Sequence, residues 1–343
     1  AFNLLIKIEP SLEEYRGVLY AASLLHDIGH GPLSHTGEEV FGINHEDWSA
    51  KLIKEHPEIR SNLDNYSIGT AEIVSKLFNT FDTSTRIIKS LVSSQLDCDR
   101  LDYLLRDSYS TGTNYGQLDL ERILAALTIA PDGDLAINPK GMMAVEHYLI
   151  VRNLMYRSVY NHRLNEVCTW LLEKIISHAK SLGKDKVWAD KTMSIWLWKE
   201  NKISNEIFLA NDDLRTGYHL ARWKEEGPPI LKDLCRRFLN RDLLKAININ
   251  QLSSEKQLEA LVLARNLAES GGHDPDVCCG LRHQKLHGYH PYRGGLRIWD
   301  GRNLQALEDA SLLIKPLIEP IGASWLIHPK EIQIDLRDKI KEL

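Results

Sequence analysis

The stretch LLHDIGHGPLSH, residues 24–35, places His26, Asp27, His30 and His35 directly behind an apolar run that ends at Leu25. Adjacent His and Asp at the end of an apolar helix bring an imidazole and a carboxylate to one point, a donor pair suited to a borderline or hard divalent cation. Two donors do not close a site. Taken alone, the doublet reads more readily as a helix-terminal Asp with surface histidines nearby.

Two later stretches change that balance. In SSQLDCDRLDYLLRDSYSTG, residues 93–112, Asp99, Tyr103 and Asp107 fall at i, i+4 and i+8, with Asp102 and Arg106 beside them, while Leu101, Leu104 and Leu105 point elsewhere. One face of that helix is a polar stripe and another is core. A tyrosine between two carboxylates is an unusual choice for a face that only meets water. In YLIVRNLMYRSVYNHRLNEV, Arg152, Tyr156 and Tyr160 repeat the same spacing. A forked cation with phenols in line suits a phosphate together with a sugar or base, although core packing is the commoner reason for such a stripe.

The 343 residues are 43% hydrophobic, enough for a large core plus a smaller appendage. A formal charge of −5 argues against a chain that is basic all over, so phosphate binding must come from a local cluster, and a nucleotide fits better than a duplex. Five cysteines, at 98, 168, 235, 278 and 279, include no CxxC pair, which points to a reducing, cytoplasmic setting. No run approaches eighteen apolar residues, and no membrane segment is expected.

Helical spacing recurs over residues 14–25, 46–55, 69–79, 84–95, 97–109 and 119–127. LTIAPDGDLAINP, residues 127–139, predicts a hairpin turning at Asp132-Gly133, and a long helix is expected over about 141–181, ending near Gly183. Beyond it the pattern mixes, with a strand at LLKAINI, a helix over 254–269 and a Gly-, His-, Pro- and Tyr-rich stretch at 271–303. The expected fold is mainly α: a helical core with a small β-hairpin over residues 1–183, and a smaller portion, helical then α+β, over 184–343.

Together these segments resemble the HD superfamily of metal-dependent phosphohydrolases, and within it the deoxynucleoside-triphosphate triphosphohydrolase branch. The likeness rests on His26-Asp27 with GHGPLSH behind them, NHE at 44–46, DCDRLDYLLRDSYSTG at 97–112 and RNLMYRSVYNHR at 152–163. It spans residues 15–165 closely and the remainder loosely. An HD pair alone is weak, but four blocks in the family's order make a specific pattern.

The resemblance implies a divalent metal held by His26, Asp27 and Asp99. It implies that His30 and His35 line the phosphate side, and that His45, with Glu46 beside it and Glu38 to orient it, donates a proton to the leaving oxygen. It further implies that Arg100 reaches the phosphates, Tyr103 packs on the deoxyribose, Asp107 accepts from the 3′-hydroxyl, and Arg152, Tyr156 and Tyr160 contact triphosphate and sugar. The implied substrate is a dNTP, split to deoxynucleoside and inorganic triphosphate. An allosteric nucleotide and assembly into a homo-oligomer are family habits carried over in the same way.

The family takes one more histidine ligand from a helix before the HD doublet. No histidine precedes His26, and that ligand is expected upstream of Ala1. In the C-terminal region His273, Cys278, Cys279, His283, His287 and His290 cluster, but adjacent cysteines chelate zinc poorly. A loop or lid offering Arg282, Lys285 and Arg293 to a neighbouring subunit or an effector is the better reading. Two other functions fit less well: a monophosphatase or phosphodiesterase of the same superfamily, and a catalytically silent nucleotide-binding regulator.

Overall fold

Val18, Leu19 and Ala22 lie buried along one side of the helix Arg16–Leu25 in the computed structural model, which describes residues 1–79, 85–199, 202–286, 288–291 and 295–343. This burial is what the helical spacing predicts, because residues three and four apart share a face. The chain divides into two units, Ala1–Gly29, Asn44–Tyr160 and Leu286–Ile321 in the first, His30–Ile43, Asn161–Lys285 and Gly322–Leu343 in the second. The opening HD stretch is therefore split between units after Gly29.

The first unit is mostly helix, as expected. Around one apolar core stand Arg16–Leu25, His45–Glu55, Thr70–Asn79, Arg86–Val92, Cys98–Thr111 and Met142–Met155, with Leu19, Ile53, Val74, Ile88, Leu104 and Tyr148 among the buried members. The hairpin forms at the predicted place. Strand β1 (Leu127–Ile129) pairs antiparallel with β2 (Leu135–Ile137), and Gly133 takes φ +84° in the turn, a conformation glycine adopts without steric cost. Two later strands extend the sheet to the order β1-β2-β5-β6, with β5 at Arg297–Trp299 and β6 at Leu304–Ala306.

The long helix expected over 141–181 is broken. Met142–Met155 passes into a π-helical turn at Tyr156–Tyr160, and Arg163–Leu182 starts afresh with His162 as N-cap. A π turn shifts the hydrogen-bond register by one residue while side chains four apart remain on nearly the same side, so the Arg152, Tyr156, Tyr160 stripe carries no sign of the break.

In the second unit the helix Arg163–Leu182 buries Val167, Leu171, Ile175, Ile176 and Ala179. The helix Ser254–Ser270 buries Ala260, Ala264 and Ala268, a stripe of small residues that permits close helix packing. A sheet ordered β3-β7-β4 joins Lys245–Asn248, Ile321–His328 and Gly280–Leu286. The strand read at LLKAINI is there. The stretch read as loop or lid instead contributes β4, and Arg282 on it is clamped by Glu39, Glu166 and Glu173, so it is engaged within its own unit. His287 and Arg293 lie outside the described residues. Cys278 and Cys279 are buried with sulfurs 3.9 Å apart, and they join no cluster spaced for a metal among the described residues. No described helix is long and apolar enough to cross a membrane.

Candidate functional site

The turn after Leu25 is tied to the start of the helix His45–Glu55. The Ser49 hydroxyl donates to the His26 carbonyl at 2.6 Å and accepts from the Gly29 N–H at 2.9 Å. A side chain at Gly29 would collide with the His45 carbonyl oxygen and the Ser49 nitrogen, which is why this position tolerates only glycine. His45 stands in the first turn of its helix, half-buried, with Glu46 exposed beside it, and Asn44 caps that turn by accepting from the Asp47 N–H.

Within this unit His26, Asp27 and Asp99 bring one ligand atom each within 4.8 Å of one another. His26 Nδ1 lies 3.0 Å from the Ser23 carbonyl, which can only accept, so Nδ1 carries the proton and Nε2 is the free-electron-pair nitrogen of the neutral ring. Nε2 is buried without a hydrogen-bond partner and sits 3.4 Å from Asp27 Oδ1 and 3.5 Å from Asp99 Oδ1. A lone pair aimed at two carboxylates is repulsive unless a cation intervenes. The ring responds by holding a proton: the Asp99 carboxylate, against the opposing effect of burial, lifts its pKa to about 9. One imidazole and two carboxylates with a backbone-locked tautomer fit a divalent ion. A cavity of about 330 Å³ opens beside them, lined by Ser23, Leu91, Val92 and Cys98 as well as His26, Asp99 and Asp102.

The helix Cys98–Thr111 carries the polar stripe onward. The Tyr103 hydroxyl lies 3.3 Å from that of Tyr156, and Tyr160 donates to Asp107 Oδ2 at 2.7 Å. The Tyr103 and Tyr160 rings meet edge to face at 5.8 Å, and those of Tyr156 and Tyr160 at 5.1 Å. Burial, acting first, drives the Tyr103 and Tyr160 phenols far above their ordinary pKa. Both stay neutral and serve as apolar walls with hydroxyl tips. Arg152 lies over Tyr156, its guanidinium 5.6 Å from the ring centre.

Sequence reasoning passed over Gln95, Asp97 and Tyr148. Arg152, only 6% exposed, donates through Nη1 to Gln95 Oε1 at 2.7 Å, and Tyr148 donates to the Gln95 carbonyl at 2.7 Å. Asp97, 1% exposed, caps the helix Cys98–Thr111 by accepting from the Arg100 N–H at 2.7 Å, accepts from the Ser94 N–H at 2.8 Å and pairs with the Arg100 guanidinium. Arg100 also donates to the Ser94 carbonyl at 2.5 Å. Both arginines are thus fixed from below by SSQLD. The legible signal was Asp97 itself, an aspartate placed where it can cap the helix that starts at Cys98.

The remaining expected residues lie in the second unit. The His30 and His35 rings meet edge to face at 4.7 Å, and His35 Nδ1 is 2.8 Å from Glu38 Oε2. Leu33 and Ser34 both take left-handed conformations, φ 65° and 49°, and the Asp213 carboxylate accepts from the Leu33 N–H at 2.7 Å. Two consecutive non-glycine residues in this region store strain, a cost that neighbouring contacts must offset.

Comparison with known proteins bears on this geometry. Residues 2–107 match the HD domain and residues 118–276 the HD associated region. The uncharacterized protein YwfO of Bacillus subtilis (strain 168) is 36% identical over 265 residues, covering 76% of this chain and 59% of YwfO. A protein of Dictyostelium discoideum named as a deoxynucleoside triphosphate triphosphohydrolase SAMHD1 homolog is 26% identical over 270 residues, 73% of this chain and 48% of its own. The crystal structure of a phosphohydrolase from Bacteroides thetaiotaomicron superposes with a TM-score of 0.76 at 27% identity, covering 91% of this chain and 79% of that one. The chain spans 59% of YwfO and 32% of an uncharacterized Methanocaldococcus jannaschii protein, MJ1154, so its curated relatives are longer.

Proposed function

Because the chain carries an HD domain of the phosphohydrolase superfamily over residues 2–107, we propose that it hydrolyses deoxynucleoside triphosphates to deoxynucleoside and inorganic triphosphate. The observation that carries the reading is the wall of Tyr103, Tyr156 and Tyr160 around Asp107, on the same helix face as Asp99. A phosphomonoesterase acting on any small phosphate has no need of it. The Dictyostelium relative's name supports the same substrate class.

His26, Asp27 and Asp99 would hold the divalent ion, which when bound supplies Lewis-acid chemistry at phosphorus and eases deprotonation of water. The rest falls to side chains. Arg152 and Arg100, held by Gln95 and Asp97, offset phosphate charge without having to be ordered on binding. Tyr103 fills the space at C2′, and Asp107, oriented by Tyr160, accepts from the 3′-hydroxyl. A water oxygen bonds to the α-phosphorus and releases a proton to solvent as the bond from phosphorus to O5′ breaks, and His45 gives O5′ the proton it needs to leave as a neutral alcohol. The roles of His30, His35 and Glu38 at the phosphates rest on the sequence resemblance alone, as does assembly into a homo-oligomer.

The test is to incubate the protein with each dNTP and NTP plus Mn²⁺, Mg²⁺ or Fe²⁺ and separate the products. Inorganic triphosphate from dNTPs, lost in Asp99→Asn, is expected. Orthophosphate release, or binding without turnover, would refute the proposal.

A further inference from the structure

We infer that Asp213 is a positioning residue for His35 and Glu38, because its carboxylate pins the strained turn from which their helix starts. What those two groups then do in catalysis rests on the proposed function, whereas the hold of Asp213 on the turn does not. All of these residues lie in the second unit, and His30, His35 and Glu38 each bring a ligand atom within 4.8 Å of the others. A convergence so close depends on where the backbone of residues 30–38 lies.

The helix Ser34–Phe41 has an unusual start. Leu33 stands at its N-cap, where Ser, Thr, Asp or Asn would turn a side-chain oxygen onto the first-turn amides, and no side-chain cap is made. Leu33 and Ser34 are both left-handed, φ 65° and 49°, a conformation that glycine takes freely and that costs a residue with a Cβ. Left to itself the turn would relax toward ordinary backbone, and His35, the next residue, would move with it.

Neighbouring contacts restrain the segment on several sides. A side chain at Gly31 would meet Ile43 and the buried Trp196 at 2.9 Å, and one at Gly37 would collide with the Pro32 carbonyl oxygen, so the chain passes as close as glycine allows. Further along the helix Glu39 pairs with Arg282 at 2.7 Å. At the strained residue itself the contact is polar: Asp213 Oδ1 accepts from the Leu33 N–H at 2.7 Å. A carboxylate acceptor makes this a charge-assisted bond, roughly twice as strong as a neutral one.

Asp213 is delivered by a well-anchored element. It stands in the first turn of the helix Asp213–Glu226, which buries Thr216, His219, Leu220 and Trp223. Asp212 caps that helix by accepting from the Arg215 N–H at 2.8 Å. The capping thus falls to Asp212, and the Asp213 carboxylate is turned to a residue 180 positions earlier in the chain.

The full chain is compared with Asp213→Ala and with Asp213→Asn, which keeps an acceptor for the Leu33 N–H but loses the same charge. Asp213 is exposed, so both variants should fold, and unchanged amide exchange in the helix Asp213–Glu226 checks this. Exchange over residues 33–36 should quicken about tenfold in Asp213→Ala and stay near the parent rate in Asp213→Asn. With dNTP and Mn²⁺, Asp213→Ala should lose about tenfold in kcat with little change in KM, and Asp213→Asn should recover most of the loss. Parent-like exchange or parent-like kcat in Asp213→Ala, or an Asp213→Asn no better than Asp213→Ala, overturns the inference. If the parent releases no triphosphate the proposed function falls, while exchange quickened in Asp213→Ala alone upholds the hold of Asp213 on the turn.

Discussion

Gln95 accepts twice, its side-chain Oε1 from Arg152 and its main-chain carbonyl from Tyr148, each at 2.7 Å. A buried guanidinium deprived of its acceptor keeps its desolvation cost and loses the compensation. Gln95→Leu should therefore lower stability by about 3 kcal/mol in urea unfolding. With dNTP substrate it should also raise KM more than it lowers kcat, because Arg152 loses its aim. A variant as stable as the parent with unchanged KM would show that Gln95 does not position Arg152.

The His26 tautomer gives a metal-linked proton. With its pKa held up to about 9 by Asp99, the ring is protonated at neutral pH in the ion-free site, yet only the neutral ring can ligate. Mn²⁺ binding at pH 7 should release about one proton per ion, and affinity should rise about tenfold per pH unit until roughly pH 9. Calorimetry in two buffers of different ionisation enthalpy measures this. Binding without proton release, or binding unaffected by His26→Ala, would remove His26 from the ligand set.

Part of this site could be read from spacing. The assignment of His26, Asp27 and Asp99 to a metal came from the likeness to the HD superfamily, since spacing alone left the doublet reading as an ordinary helix end. The i, i+4, i+8 rule placed Tyr103 beside Asp107. The π turn was hidden, because a one-residue change of hydrogen-bond register leaves the side-chain stripe intact. Strand β4 was hidden for another reason: its partner β7 lies some distance on in the chain, and a polar run such as GLRHQKL has no alternation strong enough to announce a strand. Gln95 was invisible because its importance comes from Arg152, which reaches it only through the fold.

Tyr103 packs edge to face on Tyr160 and meets Tyr156 hydroxyl to hydroxyl, so truncating it opens space beside Asp107. If that space is where C2′ lies, Tyr103→Ala should relax discrimination against ribonucleotides by roughly tenfold to a hundredfold in kcat/KM, the range a purely steric pocket can supply. Tyr103→Phe should keep most of the discrimination, since the ring and not the hydroxyl excludes the ribose. Equal loss in both variants would assign the effect to the Tyr103–Tyr156 hydroxyl contact.

In the second unit Arg282 pairs with Glu39 at 2.7 Å, Glu173 at 2.6 Å and Glu166 at 3.2 Å, and Gln284 also donates to Glu166. Three carboxylates around one guanidinium leave excess negative charge. Burial, then the hydrogen bond to Glu39, pushes Glu173 up to about 7, while Arg282 holds Glu39 low. For Glu173 the folded pKa lies above the unfolded value, so its stabilising contribution is complete below about pH 4.5 and fades as pH rises through about 7. Glu39 works in the opposite sense, supporting the fold above pH 4.5 and losing that support in acid. Glu173→Gln keeps the neutral form at every pH. Its thermal midpoint should match the parent near pH 5 and exceed it at pH 8. Parallel midpoint curves for parent and variant between pH 5 and 8 would mean that Glu173 is ionised throughout and that Arg282 neutralises all three carboxylates.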